Sequence, residues 1–131
     1  MVNAWAHCSS ACPRSSGSAS AFSETSVAPE RVSGLVALAR DAMQARGKAE
    51  LGGKTVLDSL DAVARATEGV GDADAVADAA ARAADEALDA FRDERATVGR
   101  ARMFGDKTIG MDDPGMLAMQ RIVRALAARE A

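Results

Sequence analysis

The stretch GDADAVADAAARAADEALDAFRDER, residues 71–95, decides the fold class. Alanine, which loses no side-chain entropy in a helix, fills it, while Val76, Ala80, Ala84, Ala87 and Phe91 recur at three- and four-residue steps. These residues form the inward face of one long helix, running to about Arg95. Asp72 is placed to cap its first turn and to set a negative charge at the positive end of the helix dipole. The clustered aspartates of GDADAVAD also invite comparison with a calcium loop. Such a loop, counted from Asp72, needs glycine sixth and glutamate twelfth, and those positions hold Ala77 and Ala83. A capped helix with a solvated acidic face is the better reading.

Working outward, helical period continues on both sides. From Pro29, suited to a first helical turn, Val32, Leu35, Val36, Ala39 and Met43 share one face of a helix that stops near Arg46–Gly47. A glycine-punctuated loop, GKAELGGKT, follows. A second helix runs from about Lys54 to Thr67, with Val56, Leu60, Val63 and Thr67 on its buried stripe, and the Gly69–Gly71 region breaks it. Beyond the long helix lies GRARMFGDKTIGMDDPG, residues 99–115, a loop long enough to suggest a functional role. Its Met103, Phe104 and Ile109 predict that it folds back onto the bundle. A last helix from about Met116 carries Met116, Met119, Val123 and Leu126 on one side. The fold class is therefore all-α, four amphipathic helices in an antiparallel bundle.

Composition narrows the function classes. Net charge is −3 and the basic residues are scattered, which excludes a nucleic-acid partner. No apolar run approaches the roughly 20 residues of a membrane span, and no secretory signal opens the chain. A soluble cytoplasmic protein is expected. Residues 1–28, rich in serine, glycine and proline, read as a disordered or unrelated leader, and residues 29–131 as the domain. His7, Cys8 and Cys12 are too few for a zinc site without a second ligand pair, so no metal site is assigned. Aromatics make up 3% of the chain, and a core of alanine, valine and leucine is thin enough to call for a partner, a ligand or further sequence.

The two loops carry what chemistry there is. Arg46, Lys48, Lys54 and Thr55 stand among glycines directly before a helix N-terminus, where backbone amides and the dipole favour an anion. The second loop offers Gly99-Arg100, Lys107-Thr108 and Asp113-Pro114-Gly115. For each loop alone, a capped turn with solvated charges is the competing account. GGKT is not the end of a phosphate loop, because the required earlier glycine and preceding strand are missing.

Together the loops are more specific. RGKAELGGKTVLDSL at 46–60 resembles the RGKAxxGDKTMLDxL signature of the dihydroxyacetone kinase L-type subunit, which also forms the C-terminal half of single-chain, ATP-dependent dihydroxyacetone kinases. GRARMFGDKTIGMDDPG at 99–115 is similar to that family's GRASYLGERSIGHxDPG, in the right order and at a fitting separation. The resemblance covers roughly residues 29–131. It implies the C-terminal half of an eight-helix barrel with ADP or ATP bound at one end. By the same resemblance Gly47 borders the adenine, Val56 packs on it, Arg100 contacts the nucleotide, and Asp113, Pro114 and Gly115 close over it.

Departures from the pattern qualify these roles. Gly53 replaces the aspartate of GDKT, Arg102 the serine of GRAS, and Met111 the histidine before DPG, and Arg102 adds a charge that calls the pocket's shape into question. The family's GDxDHG aspartates, which hold two magnesium ions, and its serine-glycine phosphate turn have no counterpart, so a truncated or frameshifted start is expected. The implied activity is phosphorylation of dihydroxyacetone or a related small ketose. ATP, or ADP rephosphorylated by a phosphocarrier protein, is the donor, and the sugar sits on a K-type partner subunit or domain. No catalytic residue is assigned in this chain, which is expected to be inactive alone. Two rivals are a non-enzymatic degenerate helical binding module and a nonfunctional remnant whose uncovered apolar stripes drive self-association.

Overall fold

Three of the four α-helices begin where a side chain satisfies free amides, and the first continues directly from a short 3-10 turn. The computed structural model describes residues 26–130, which form α1 (Val32–Gly47), α2 (Val56–Ala66), α3 (Ala73–Arg92) and α4 (Pro114–Glu130). Short 3-10 segments lie at Pro29–Arg31 and Arg100–Thr108, and no strand occurs among the described residues. The all-α class follows. The expected leader lies outside the described residues except for 26–28, and His7, Cys8 and Cys12 fall outside with it.

At α2, Thr55 Oγ1 accepts from the Leu57 amide (3.3 Å) while Asp58 Oδ2 accepts from the Thr55 amide (2.8 Å), a reciprocal capping box. Asp72 caps α3 as expected, accepting from the Ala75 amide at 2.9 Å. α2 starts at Val56 rather than about Lys54, since Thr55 is its cap, and two further boundaries differ from the sequence expectation. α3 ends at Arg92 rather than near Arg95, because the carbonyls of Arg92 and Glu94 are drawn to a side chain from another loop. α4 starts at Pro114, two residues early, because Asp113 accepts from the amides of Gly115 (2.8 Å) and Met116 (3.0 Å).

α2 is the central element, packing against α1, α3 and α4, and α3 also packs on α4. Alanine makes that possible, since its short side chain lets backbones approach closely. Val63, Ala80, Ala83, Ala84 and Val123 form one core cluster, and Ala87, Leu88 and Met116 a second. On α1 the expected stripe of Val32, Leu35, Val36, Ala39 and Met43 is not buried; no side chain of this helix is. The reason is that α1 has one helical neighbour of any extent, α2, reached through Ser33 Oγ donating to the Ala64 carbonyl (2.7 Å) and Arg40 pairing with Asp61. Leu126 of α4 is exposed as well. No helix among the described residues is long and apolar enough to cross a membrane.

Candidate functional site

The pairings Ser33–Ala64 and Arg40–Asp61 run in opposite order along the chain, so α1 and α2 are antiparallel. The N-terminus of α2, the loop that follows α3 and the N-terminus of α4 border a common cavity of about 730 Å³ at one end of the bundle. That volume suits a small organic ligand. Its walls come from both loops: Thr55 and Val56 on one side, Val98 to Ala101 with Phe104 and Lys107 on another, and Met111 to Gly115 on the third.

Loop 92–108 is held by polar bonds to the start of α2. Lys54 is 2% exposed, and its Nζ donates to the carbonyls of Arg92 (2.8 Å), Glu94 (3.0 Å) and Thr108 (2.7 Å). The buried hydroxyl of Thr108 donates to the Gly105 carbonyl (2.7 Å) and accepts from the Ala96 amide (3.0 Å). The Gly110 amide donates to the Arg92 carbonyl at 2.9 Å and the Thr97 amide to the Gly53 carbonyl at 3.3 Å. Gly105, at φ +54°, takes the left-handed turn that splits the 3-10 segment. Gly53 is needed for space instead: a Cβ there would lie 2.6 Å from Val98 Cγ2.

The electrostatics favour an anion. The N-termini of α2 and α4 both face the cavity and bring the positive ends of two helix dipoles to it. Arg100 and Lys107 line the cavity, are exposed, and make no ion pair among the described residues. The two carboxylates present are already engaged. Asp112 accepts from Arg92 Nε at 2.8 Å, an interaction that holds the Arg92 guanidinium above its ordinary range, and Asp113 caps α4. Among the described residues no three His, Cys, Asp or Glu side chains come together as a metal-binding group.

Five of the six residues singled out from sequence, Val56, Arg100, Asp113, Pro114 and Gly115, line this cavity. Gly47 does not, although it ends α1 at the same end of the bundle. Other expectations are corrected. Lys54 is no free cation for an anion, since its ammonium is spent on carbonyls, and Thr55 is a helix cap. Met103 and Phe104 do not bury themselves against the bundle; they are 83% and 65% exposed, Phe104 at the cavity wall, and Ile109 is exposed too. Arg102 borders a separate depression with Arg95 and Met103, so it does not line the main cavity. Phe104 was missed as a cavity residue, and Lys107 was named for the loop's chemistry but not among the six site residues. Both stand inside the second sequence block, but nothing in helical period reveals which side of an irregular loop faces inward.

The comparisons with known proteins agree with the two blocks. The DAK2 domain family matches residues 14–128, taking in residues 14–28 that the sequence reading gave to the leader. The chain is 34% identical over 110 residues to L-erythrulose 1-kinase of Mycolicibacterium smegmatis, an alignment covering 80% of this chain and 19% of that kinase. This chain thus spans less than a fifth of that relative. With a match over most of its length and an all-helical fold, the chain belongs to the dihydroxyacetone-kinase-like DAK2 domain family.

Proposed function

We propose that this chain is a nucleotide-binding domain for phosphoryl transfer to dihydroxyacetone or a related small ketose. The cavity lined by residues from 54–56 and 96–115 carries the reading, because both family-like blocks contribute to its walls. The base would pack on the apolar wall of Val56 and Phe104, with Pro114 and Gly115 at the rim. The phosphates would lie toward the amide ends of α2 and α4, within reach of Arg100 and Lys107. Magnesium, where phosphoryl transfer uses it, neutralises charge developing on the phosphate oxygens. The described residues do not fit that ion, since Asp112 and Asp113 are occupied by Arg92 and by the α4 amides. No step is routed through it here. The sugar would be held by a K-type partner subunit or domain, and the donor would be ATP or ADP recharged by a phosphocarrier protein. The relative's name, an erythrulose kinase, is consistent with a ketose acceptor.

Calorimetric titration with ADP tests the reading directly. One nucleotide should bind per chain, and replacing both Arg100 and Lys107 by alanine should weaken binding by about tenfold or more while the fold is unchanged. No heat with ADP or ATP would overturn it. Incubation with magnesium, ATP, dihydroxyacetone and a K-type partner should yield no phosphate ester from the chain as it stands. Binding without turnover is also what a non-enzymatic module would give, a reading favoured by the engagement of both cavity carboxylates.

A further inference from the structure

Lys54 combines three features that a solvated turn residue would not. Its ammonium is buried, each of its three N–H groups meets a backbone carbonyl, and its backbone sits at φ +59°, a left-handed conformation that a side chain disfavours. Burying a charge is costly unless it is fully hydrogen-bonded, and here it is. The acceptors are informative. Arg92 ends α3, whose free carbonyls form the negative end of that helix dipole at the end of the bundle that holds the cavity, and Glu94 lies two residues past it. Thr108 closes the 3-10 segment that carries Arg100, Phe104 and Lys107.

We infer that Lys54 is the positioning residue of the cavity: it fastens the end of α3 to the far end of the 3-10 segment and cancels the negative pole that α3 would otherwise present there. It acts through the loop and not by touching a ligand. The cations left to the cavity are Arg100 and Lys107, set in place by a third cation whose ammonium is spent on carbonyls. This rests on the cavity being the site proposed above for its ligand, but the loop-fastening part stands without any ligand.

Two substitutions separate this role from a turn preference. Lys54→Gly relieves the left-handed backbone and removes the ammonium; Lys54→Met keeps the stem and removes the charge. Hydrogen exchange, read without nucleotide, should accelerate by about tenfold or more at the Ala96, Thr97 and Gly110 amides in both variants. The amides of α2 and the α3 core should stay protected. A residue needed for its turn alone would leave Lys54→Gly unchanged or slower, and that result would overturn the inference. So would exchange that accelerates evenly over the whole chain. Lys54→Cys, alkylated while unfolded to its aminoethyl form in a chain with Cys8 and Cys12 replaced by serine, restores an ammonium and should restore slow exchange. Failure to restore it counts against the inference. ADP titration of the same variants should show affinity lost in Lys54→Met and Lys54→Gly and recovered on aminoethylation. If the unaltered chain binds no ADP, the functional reading fails while the exchange data still decide the role of Lys54.

Discussion

Along α3, Ala79, Ala80, Ala83, Ala84 and Ala87 are buried against neighbouring helices, and nothing polar directs them. A few residues later, past Arg92, the same chain is fixed by carbonyls turned onto one ammonium, by the Gly110 amide and by the pairing of Arg92 with Asp112. The first region is held by non-directional burial, which depends on volume and tolerates shape changes that conserve it. The second is held by directional bonds, which depend on individual atoms and tolerate little. The division puts directional bonds where a ligand would be read and generic packing along the alanine face of α3.

Three experiments test that contrast. The largest effect is expected at Met116, which is fully buried where core and cavity meet. Met116→Ala should lower the unfolding free energy by about 2–5 kcal/mol in urea titration, through lost burial and the space left behind. An effect confined to the cavity loop would break the contrast. Next comes Gly53, where any side chain meets Val98. Gly53→Asp should destabilise by about 1–3 kcal/mol, and a second change, Val98→Ala, should recover most of it. No recovery would mean that the contact is not the cause. The smallest effect belongs to Asp85 on the α3–α4 seam, whose carboxyl is held below its usual range by the hydrogen bond from Arg124 and by Gln120. A depressed carboxyl adds stability above the unfolded-state range and loses it as pH falls through the folded value. Asp85→Asn should therefore cost a little at pH 7 and nothing once the pH is well below about 4. A penalty independent of pH would show that packing, not charge, is at work there.

Much of this was legible in the chain itself. Val76, Ala80, Ala84 and Ala87 could be named as core because a regular helix converts spacing into direction. Leu60, Val63, Thr67 and Val123 followed the same rule. The stripe on α1 obeyed the rule too, yet was covered only in part, at Val32 and Val36, since periodicity says which face is apolar and not how many neighbours will cover it. The cavity was legible through the wording of its two blocks, which fixed Val56, Arg100 and the Asp113–Gly115 turn. What could not be read was the fate of Lys54. A lysine among glycines before a helix reads as a phosphate-facing cation, and only the approach of Arg92, Glu94 and Thr108, separated from it by 38 to 54 positions, turns it inward.

The bareness of α1 bears on how the molecule comes apart. A layer tied on by one hydroxyl, one ion-pair network and the half-buried Val36, with no residue fully buried, costs little to peel away. Warming should strip this layer first and leave the remaining three helices, with the cavity at their end, still assembled. Melting would then proceed in two stages, the earlier one silent to any ligand held between α2 and α4.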